Sequence, residues 1–270
     1  MFSSTRKAFL AGGMLLLCLT SCADERKSGD YRIVSLSPAM TEMLFSIGAG
    51  DKIVGVTTFC DFPPEARKIT KVGDFSHPSI ERIVGLKPDL VIVNLPEQMR
   101  IKKELDRLKI RSFVSSPGSL SEIYTELSAL GAVLGLDKAA DSLVSYMKRN
   151  LEAVNPTRRK KVYVEISPRP IITIGAATFL NDLIYNAGGV NIFADLEKDY
   201  PAVGQEAVIT RDPEIIIALH PEDIRGRIGW QNIQAVKEGR VYTNFNPDHL
   251  MRPGPRLISG FTRLKEIIND

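Results

Sequence analysis

The sequence predicts an α/β protein of two Rossmann-like lobes with mostly parallel sheets, bridged by a single long helix. Three observations predict it. Short apolar runs alternate with amphipathic segments along the chain, so the hydrophobic period switches repeatedly between that of a strand and that of a helix. Runs such as Leu90-Val91-Ile92-Val93 are apolar without alternation, as strands covered on both faces are. A segment of the first half also reappears, without a gap, 125 residues later.

The first element is a leader over 1–21. Arg6 and Lys7 precede an apolar run from Ala8 to Leu19, closed by Thr20 and Ser21, in the layout of a secretory signal. That run is too short to remain as a membrane span, which needs about 20 residues. Leu19-Thr20-Ser21-Cys22 resembles a bacterial lipobox, in which Cys22 is acylated and becomes the mature N-terminus. The bland alternative is a cysteine that happens to end the apolar run. A polar tether over 22–31 follows, and the expected location is exported, on the periplasmic or cell-surface side, held to the membrane by lipid.

An N-terminal lobe is expected over 32–137. Arg32–Leu36 reads as a strand, Thr41–Ile47 as a helix and Ile53–Val56 as a strand. The alternation continues with a helix near Ser79–Gly85, a strand at Leu90–Val93, a helix at Arg100–Leu108 and a strand at Arg111–Val114. Two long helical stretches follow, Ser121–Leu134 and Lys138–Val154, separated by Gly135-Leu136-Asp137. The second is the expected linker helix, within 138–157, and Asn155-Pro156 stops it. A C-terminal lobe over 158–270 restarts with the strand Val162–Ile166. The basic cluster Arg158-Arg159-Lys160-Lys161 is expected to complement the dipole of the preceding helix and stay solvated.

The repeat is the most informative feature. Phe75–Glu97 falls on Tyr200–Glu222, placing Glu81 on Glu206, Pro88 on Pro213, Ile92 on Ile217, Pro96 on Pro221 and Glu97 on Glu222. Like-for-like pairs include Phe75 with Tyr200 and Asp89 with Glu214. Two similar lobes with a ligand cleft between the carboxyl ends of their strands follow from this pattern.

Composition narrows the function. The chain has 270 residues, 44% hydrophobic, enough for one large core or two medium ones. Its 35 basic residues against 32 acidic become 33 against 32 once Arg6 and Lys7 leave with the leader, so no nucleic-acid partner is expected. Cys18 also leaves with the leader and Cys22 goes to lipid, so Cys60 stands alone and no intramolecular disulfide is possible. Cys60 reads as a small buried hydrophobe, or alternatively as a soft metal ligand or nucleophile of an anchored metal-handling enzyme or chaperone. There is no Gly-x-Ser-x-Gly elbow, His-Glu-x-x-His or Walker loop, and Gly48-Ala49-Gly50 lacks the third Rossmann glycine. No catalytic residue, resident metal or cofactor is therefore assigned.

The run from Arg32 to Glu42, Val54-Gly55-Val56 leading to Asp61-Phe62-Pro63-Pro64, the segment from Ile80 to Val91, and Ala187-Gly188-Gly189-Val190-Asn191-Ile192-Phe193 together resemble a known family. It is that of the extracytoplasmic substrate-binding proteins of ABC importers for cobalamin, haem and ferric siderophores. Leu36-Ser37-Pro38 and Asp61-Phe62-Pro63-Pro64 look closest to the cobalamin-binding branch. The resemblance implies capture of a corrinoid between two lobes and delivery, by a monomer, to a permease dimer, with haem or a ferric siderophore as the alternative cargo. It also implies that Glu81 and Glu206 dock arginines of the two permease subunits, although a Glu in the first turn of a helix also suits the dipole.

For the pocket, Phe75 and Tyr200 are expected to face each other across the cleft and to pack on a macrocycle, with Phe59 beside them. His77 and His220 are candidate ligands of a bound metal. Arg252 is a candidate partner for anionic ligand groups, whereas Arg256 opens the final helix and is also read as a tie for the C-terminal segment. The cobalamin-binding relatives carry tryptophans at several such positions; here the single tryptophan is Trp230, expected on a late helix.

Overall fold

The computed structural model describes residues 31–270, which form one compact unit; the leader, Cys22 and nearly all of the tether lie outside the described residues. The first lobe runs β1 (Ile33–Ser35), α1 (Pro38–Ser46), β2 (Ile53–Val56), α2 (Ile80–Gly85), β3 (Leu90–Asn94), α3 (Met99–Arg107) and β4 (Ser112–Ser115). Its sheet is parallel throughout, in the order β2-β1-β3-β4. Helices α4 (Leu120–Leu134) and α5 (Asp137–Asn150) follow. The second lobe runs β5 (Lys160–Glu165), the hairpin β6 (Ser167–Pro168) and β7 (Ile171–Ile172), α6 (Phe179–Asn186), β8 (Gly189–Asn191), α7 (Gln205–Arg211), β9 (Ile215–Ala218), α8 (Gln234–Lys237) and β10 (Val241–Tyr242). A C-terminal segment carries α9 (Asp248–Met251) and α10 (Leu257–Asn269).

The second parallel sheet has the order β8-β5-β9-β10, the topology of the first repeated. The 125-residue repeat maps onto it: α2 and α7 begin at related positions, as do β3 and β9. Period-2 alternation then sorts each strand's side chains into layers. Leu90 and Ile92, like Ile215 and Ile217, face a central core shared through α1, α4, α5, α6 and α10. Val91 and Val93 instead face the outer layer of the first lobe, and Ile216 and Ala218 that of the second. Both faces are buried, which is why these strands read as uninterrupted apolar runs.

Between the sheets, α4 and α5 pack on each other, turned by Gly135 in the left-handed region at φ 67°. The bridging helix ends at Asn150, short of the expected Val154. The carbonyl of Leu151 accepts the Asn186 side-chain amide, and the N–H of Val154 donates to the Asn186 carbonyl, so the second lobe takes up groups a helix would have used. The basic cluster consequently lies beyond the helix end. Arg158 pairs with Glu214 at 2.7 Å, Arg159 stacks on Tyr185, and Lys160 and Lys161 belong to β5. Trp230 sits in a short 3-10 turn, fully buried against Tyr163, rather than on a regular helix.

The C-terminal segment ties the lobes a second time. Phe261 and Leu264 of α10 enter the central core, Asn269 donates to the carbonyl of Ala187, and Arg252 and Arg256 reach α1 of the first lobe.

Candidate functional site

A cleft of about 800 Å³ opens where the carboxyl ends of the first sheet meet loops of the second lobe and the α9 segment. The first-lobe wall comes from Ser37 and Pro38 after β1, Phe59 after β2, Phe75 in the turn before α2, and Asn94 to Glu97 at the end of β3. The opposite wall is Ala177 to Phe179, which lead into α6, and Lys198 to Tyr200. Met251, Arg252 and Asp248 close one side.

Of the residues expected to bind ligand, Phe59, Phe75, Tyr200 and Arg252 line this cleft. Phe59 is 55% exposed and Tyr200 37%, so both rings present surface to the cleft that a bound molecule could cover. The Tyr200 loop is fixed by main-chain bonds, Gly175 N–H to Asp199 O at 2.8 Å and Thr173 N–H to Pro201 O at 3.1 Å. A Cβ on Gly175 would lie 2.0 Å from the carbonyl oxygen of Lys198, so only glycine admits this approach. Burial, with Asp199 and Glu97 adding negative charge, pushes the Tyr200 phenol up to about 12.

The two histidines are not on the cleft. His77 lies on the exposed turn after Phe75, its side chain 79% accessible and 3.5 Å from Asp74. His220 is buried: its Nδ1 accepts the Glu222 N–H at 3.2 Å and its Nε2 lies 2.8 Å from the Glu165 carboxylate. With Nδ1 accepting, Nε2 is the donor, and no lone pair is left for a metal. Glu165 is also gripped bidentately by Arg227, at 2.7 and 2.8 Å, and accepts the Tyr163 hydroxyl. His220 thus belongs to a buried structural network that its strand-end position in the sequence does not reveal.

Arg252 lines the cleft but its charge is spoken for. It reaches Asp61 at 2.7 Å, Asp248 at 3.0 Å and Glu42 at 3.2 Å. Arg256 holds Glu42 with two bonds, at 2.6 and 2.9 Å, and stacks on Phe62. Glu42 is 2% exposed. Three carboxylates thus surround two guanidiniums in a cluster that joins residues about 200 positions apart, and Arg256 is the tie its position suggested. Sequence reasoning missed Glu42 and Asp248, as well as Asn94, Glu97, Lys198 and Asp199 in the cleft; the only signal was the Arg252-Pro253-Gly254-Pro255-Arg256 turn.

Cys60 is buried in the central core, with the Thr41 and Thr57 hydroxyls 3.2 and 3.3 Å from its sulfur. It is the small buried hydrophobe, with no histidine beside it. Among the described residues no group of three or more His, Cys, Asp or Glu is placed to hold a metal ion.

Glu81 and Glu206 occupy the second position of α2 and α7, both exposed. Ser79 caps α2, and its hydroxyl also donates to Glu81 at 2.8 Å; Gly204 stands at the equivalent cap of α7. The Glu81 carboxyl is held below its ordinary range by its own backbone N–H and by the Ser79 hydroxyl. The geometry leaves both carboxylates at corresponding points of the two lobes, and dipole stabilisation and an outward role are compatible there.

Among the described residues no helix is long and apolar enough to cross a membrane. Comparison with known proteins agrees with the two-lobe architecture. Residues 33–244 match the family model described as periplasmic binding protein. The chain is 35% identical to the ABC transporter substrate-binding lipoprotein YvrC of Bacillus subtilis, over 90% of this chain and 81% of the relative. It is 30% identical to a vitamin B12-binding protein of Vibrio parahaemolyticus, over 87% of this chain and 88% of that one. The crystal structure of the periplasmic vitamin B12 binding protein BtuF of Vibrio cholerae superposes with a TM-score of 0.75 at 29% identity, covering 88% of this chain and 96% of that chain. The haem-binding protein RhuT of Roseiflexus shares the fold at 23% identity, with a TM-score of 0.75. The chain belongs to the periplasmic binding protein family: it is an extracytoplasmic, non-enzymatic substrate-binding component of an ABC importer, carrying a small molecule to a membrane permease.

Proposed function

We propose that the cargo is a corrinoid, cobalamin, held between the two lobes by Phe59, Phe75 and Tyr200. The observation that carries this reading is the charge state of the cleft. Its single arginine, Arg252, is already satisfied by Glu42, Asp61 and Asp248, and among the remaining charged residues of the lining Glu97 and Asp199 outnumber Lys198. Such a cleft disfavours the propionates of haem and the carboxylates of an acidic siderophore. Cobalamin presents a broad corrin face with neutral amide arms and a single phosphodiester, one anionic group against the two propionates of haem, which suits aromatic faces interspersed with Ser37, Asn94 and Thr178. No resident cofactor enters this reading, since any metal arrives within the cargo.

The same reading assigns Glu81 and Glu206 to the permease, one per lobe, and Cys22 to a lipid anchor. Cys22→Ala should move the protein from the membrane fraction to the soluble one, and unchanged fractionation would remove the anchor from the reading.

The cargo is tested by calorimetric titration of the mature chain from Ala23 with cyanocobalamin, hemin and a ferric hydroxamate siderophore in parallel. Saturable one-to-one heats for cyanocobalamin below about 1 μM, equivalent to about 8 kcal/mol, with weaker binding of the others, are expected. Tighter binding of hemin with a shifted Soret band would overturn the corrinoid assignment and leave the import role in place.

A further inference from the structure

We infer that Gln98 is a positioning residue of the ligand cleft, tying the Phe75 turn to the ends of two first-lobe strands and so holding Phe75 in place. The inference rests on the reading of the cleft as the cargo site. Gln98 is 1% exposed and does not itself line the cleft, yet its side chain bonds only to segments that do. Its Oε1 accepts the N–H of Asn94 at 2.8 Å. Its Nε2 donates to the carbonyl of Leu36 at 3.0 Å and to the carbonyl of Phe75 at 2.8 Å. Those three contacts fall on the end of β3, the end of β1 just before Ser37 and Pro38, and the turn that carries Phe75.

Only an amide fits this position. One acceptor must meet an N–H while one nitrogen meets two carbonyls, which also sets the orientation of the amide. A carboxylate supplies the acceptor and no donor; a thioether supplies neither. The opposite wall needs no such residue, because the Tyr200 loop is held by main-chain bonds from Thr173 and Gly175. The Phe75 turn is bridged at its base between Gly73 and Pro78 and closed within itself by Asp74, which accepts the His77 N–H at 2.6 Å; the bond from Gln98 to the Phe75 carbonyl is what joins its aromatic tip to the β-strand ends. The two lining aromatics are thus placed by different means, Tyr200 by main-chain bonds of its loop and Phe75 with the help of a side chain 23 residues away.

The test compares Gln98→Glu, which keeps the Asn94 bond and loses both donors, with Gln98→Met and the milder Gln98→Asn. In the mature chain each is combined separately with Phe75→Ala and with Tyr200→Ala, and cyanocobalamin affinity is measured alongside thermal stability. Loss of two donated bonds should weaken binding about tenfold in the wild-type and Tyr200→Ala backgrounds, and less than about twofold in the Phe75→Ala background. A purely structural role would lower affinity equally in all three backgrounds, or not at all, and either result would overturn the inference. Amide hydrogen exchange without ligand gives an independent reading. Faster exchange at 73–79 is expected in each variant, joined by Asn94 in Gln98→Met, which also loses the acceptor, with 198–203 unchanged; unchanged exchange at 73–79 refutes the positioning role. If the wild-type chain takes up no cyanocobalamin, the corrinoid reading fails, and the exchange experiment alone still decides on Gln98.

Discussion

Replacing Glu42 with alanine should destabilise the molecule more than any other single change to a charged residue of the first lobe. The carboxylate is 2% exposed and accepts from Arg252 at 3.2 Å and twice from Arg256, at 2.9 and 2.6 Å. The two arginine side chains are only 13% and 15% exposed, so truncation removes the closest counter-ion of Arg256 and the third of Arg252 from a buried site. Breaking a buried pair by removing one partner costs about 3–5 kcal/mol. Here Asp61 and Asp248 remain, at 2.7 and 3.0 Å from Arg252, while Arg256 keeps Asp248 at 3.5 Å, so the lower end of about 3 kcal/mol applies. For a domain of this size that is a fall in Tm of about 6–12 °C, at about 2–4 °C per kcal/mol. Urea unfolding with an unchanged m-value and a lower midpoint should report the same loss. Glu42→Leu combined with Arg256→Met should recover much of it, because an apolar pair of similar volume avoids the desolvation cost. A Tm fall below about 2 °C for Glu42→Ala would show that the cluster is not a tie between the lobes and would refute the reasoning.

Phe75→Ala and Tyr200→Ala should each weaken cyanocobalamin binding by about tenfold or more in calorimetric titration, since each removes a broad aromatic face from one wall. Unchanged affinity in both would move the cargo away from this cleft. Charge reversal at both Glu81 and Glu206 should abolish uptake in a reconstituted transport assay while ligand affinity stays at wild-type level; loss of ligand binding would sink the docking assignment. The Glu214 carboxyl is held below its ordinary range by the Arg158 guanidinium, against the opposing effect of burial. A depressed folded-state value contributes stability above the unfolded value and loses it as pH falls through the folded one. Glu214→Gln should therefore flatten the acid limb of the stability profile below about pH 4.3, and a profile parallel to wild type would contradict the pairing.

The histidines and arginines show where reading along the chain stops. Phe75 and Tyr200 were legible as a pair because a gap-free repeat carries both, and a repeat preserves position within each lobe. His220 had the same apparent standing, at the end of a buried strand. Its partner Glu165 lies 55 residues earlier on the neighbouring strand, and no local pattern distinguishes an imidazole aimed at a carboxylate from one aimed at a cleft. Arg252 likewise reads as a free cation until Glu42, 210 residues away, and Asp61 are folded against it.

The α/β class, the doubling of the lobe and the matched placement of Glu81 and Glu206 are all legible along the chain. Those features depend on burial period and on a constant offset, both of which are properties of neighbouring residues. Which charged groups neutralise one another, which histidine is walled in, and that Gln98 reaches the turn bearing Phe75 emerge when the chain is folded. Electrostatic and hydrogen-bond partners are chosen by distance in space, and strands adjacent in these parallel sheets are joined by crossovers that carry their residues far apart along the chain.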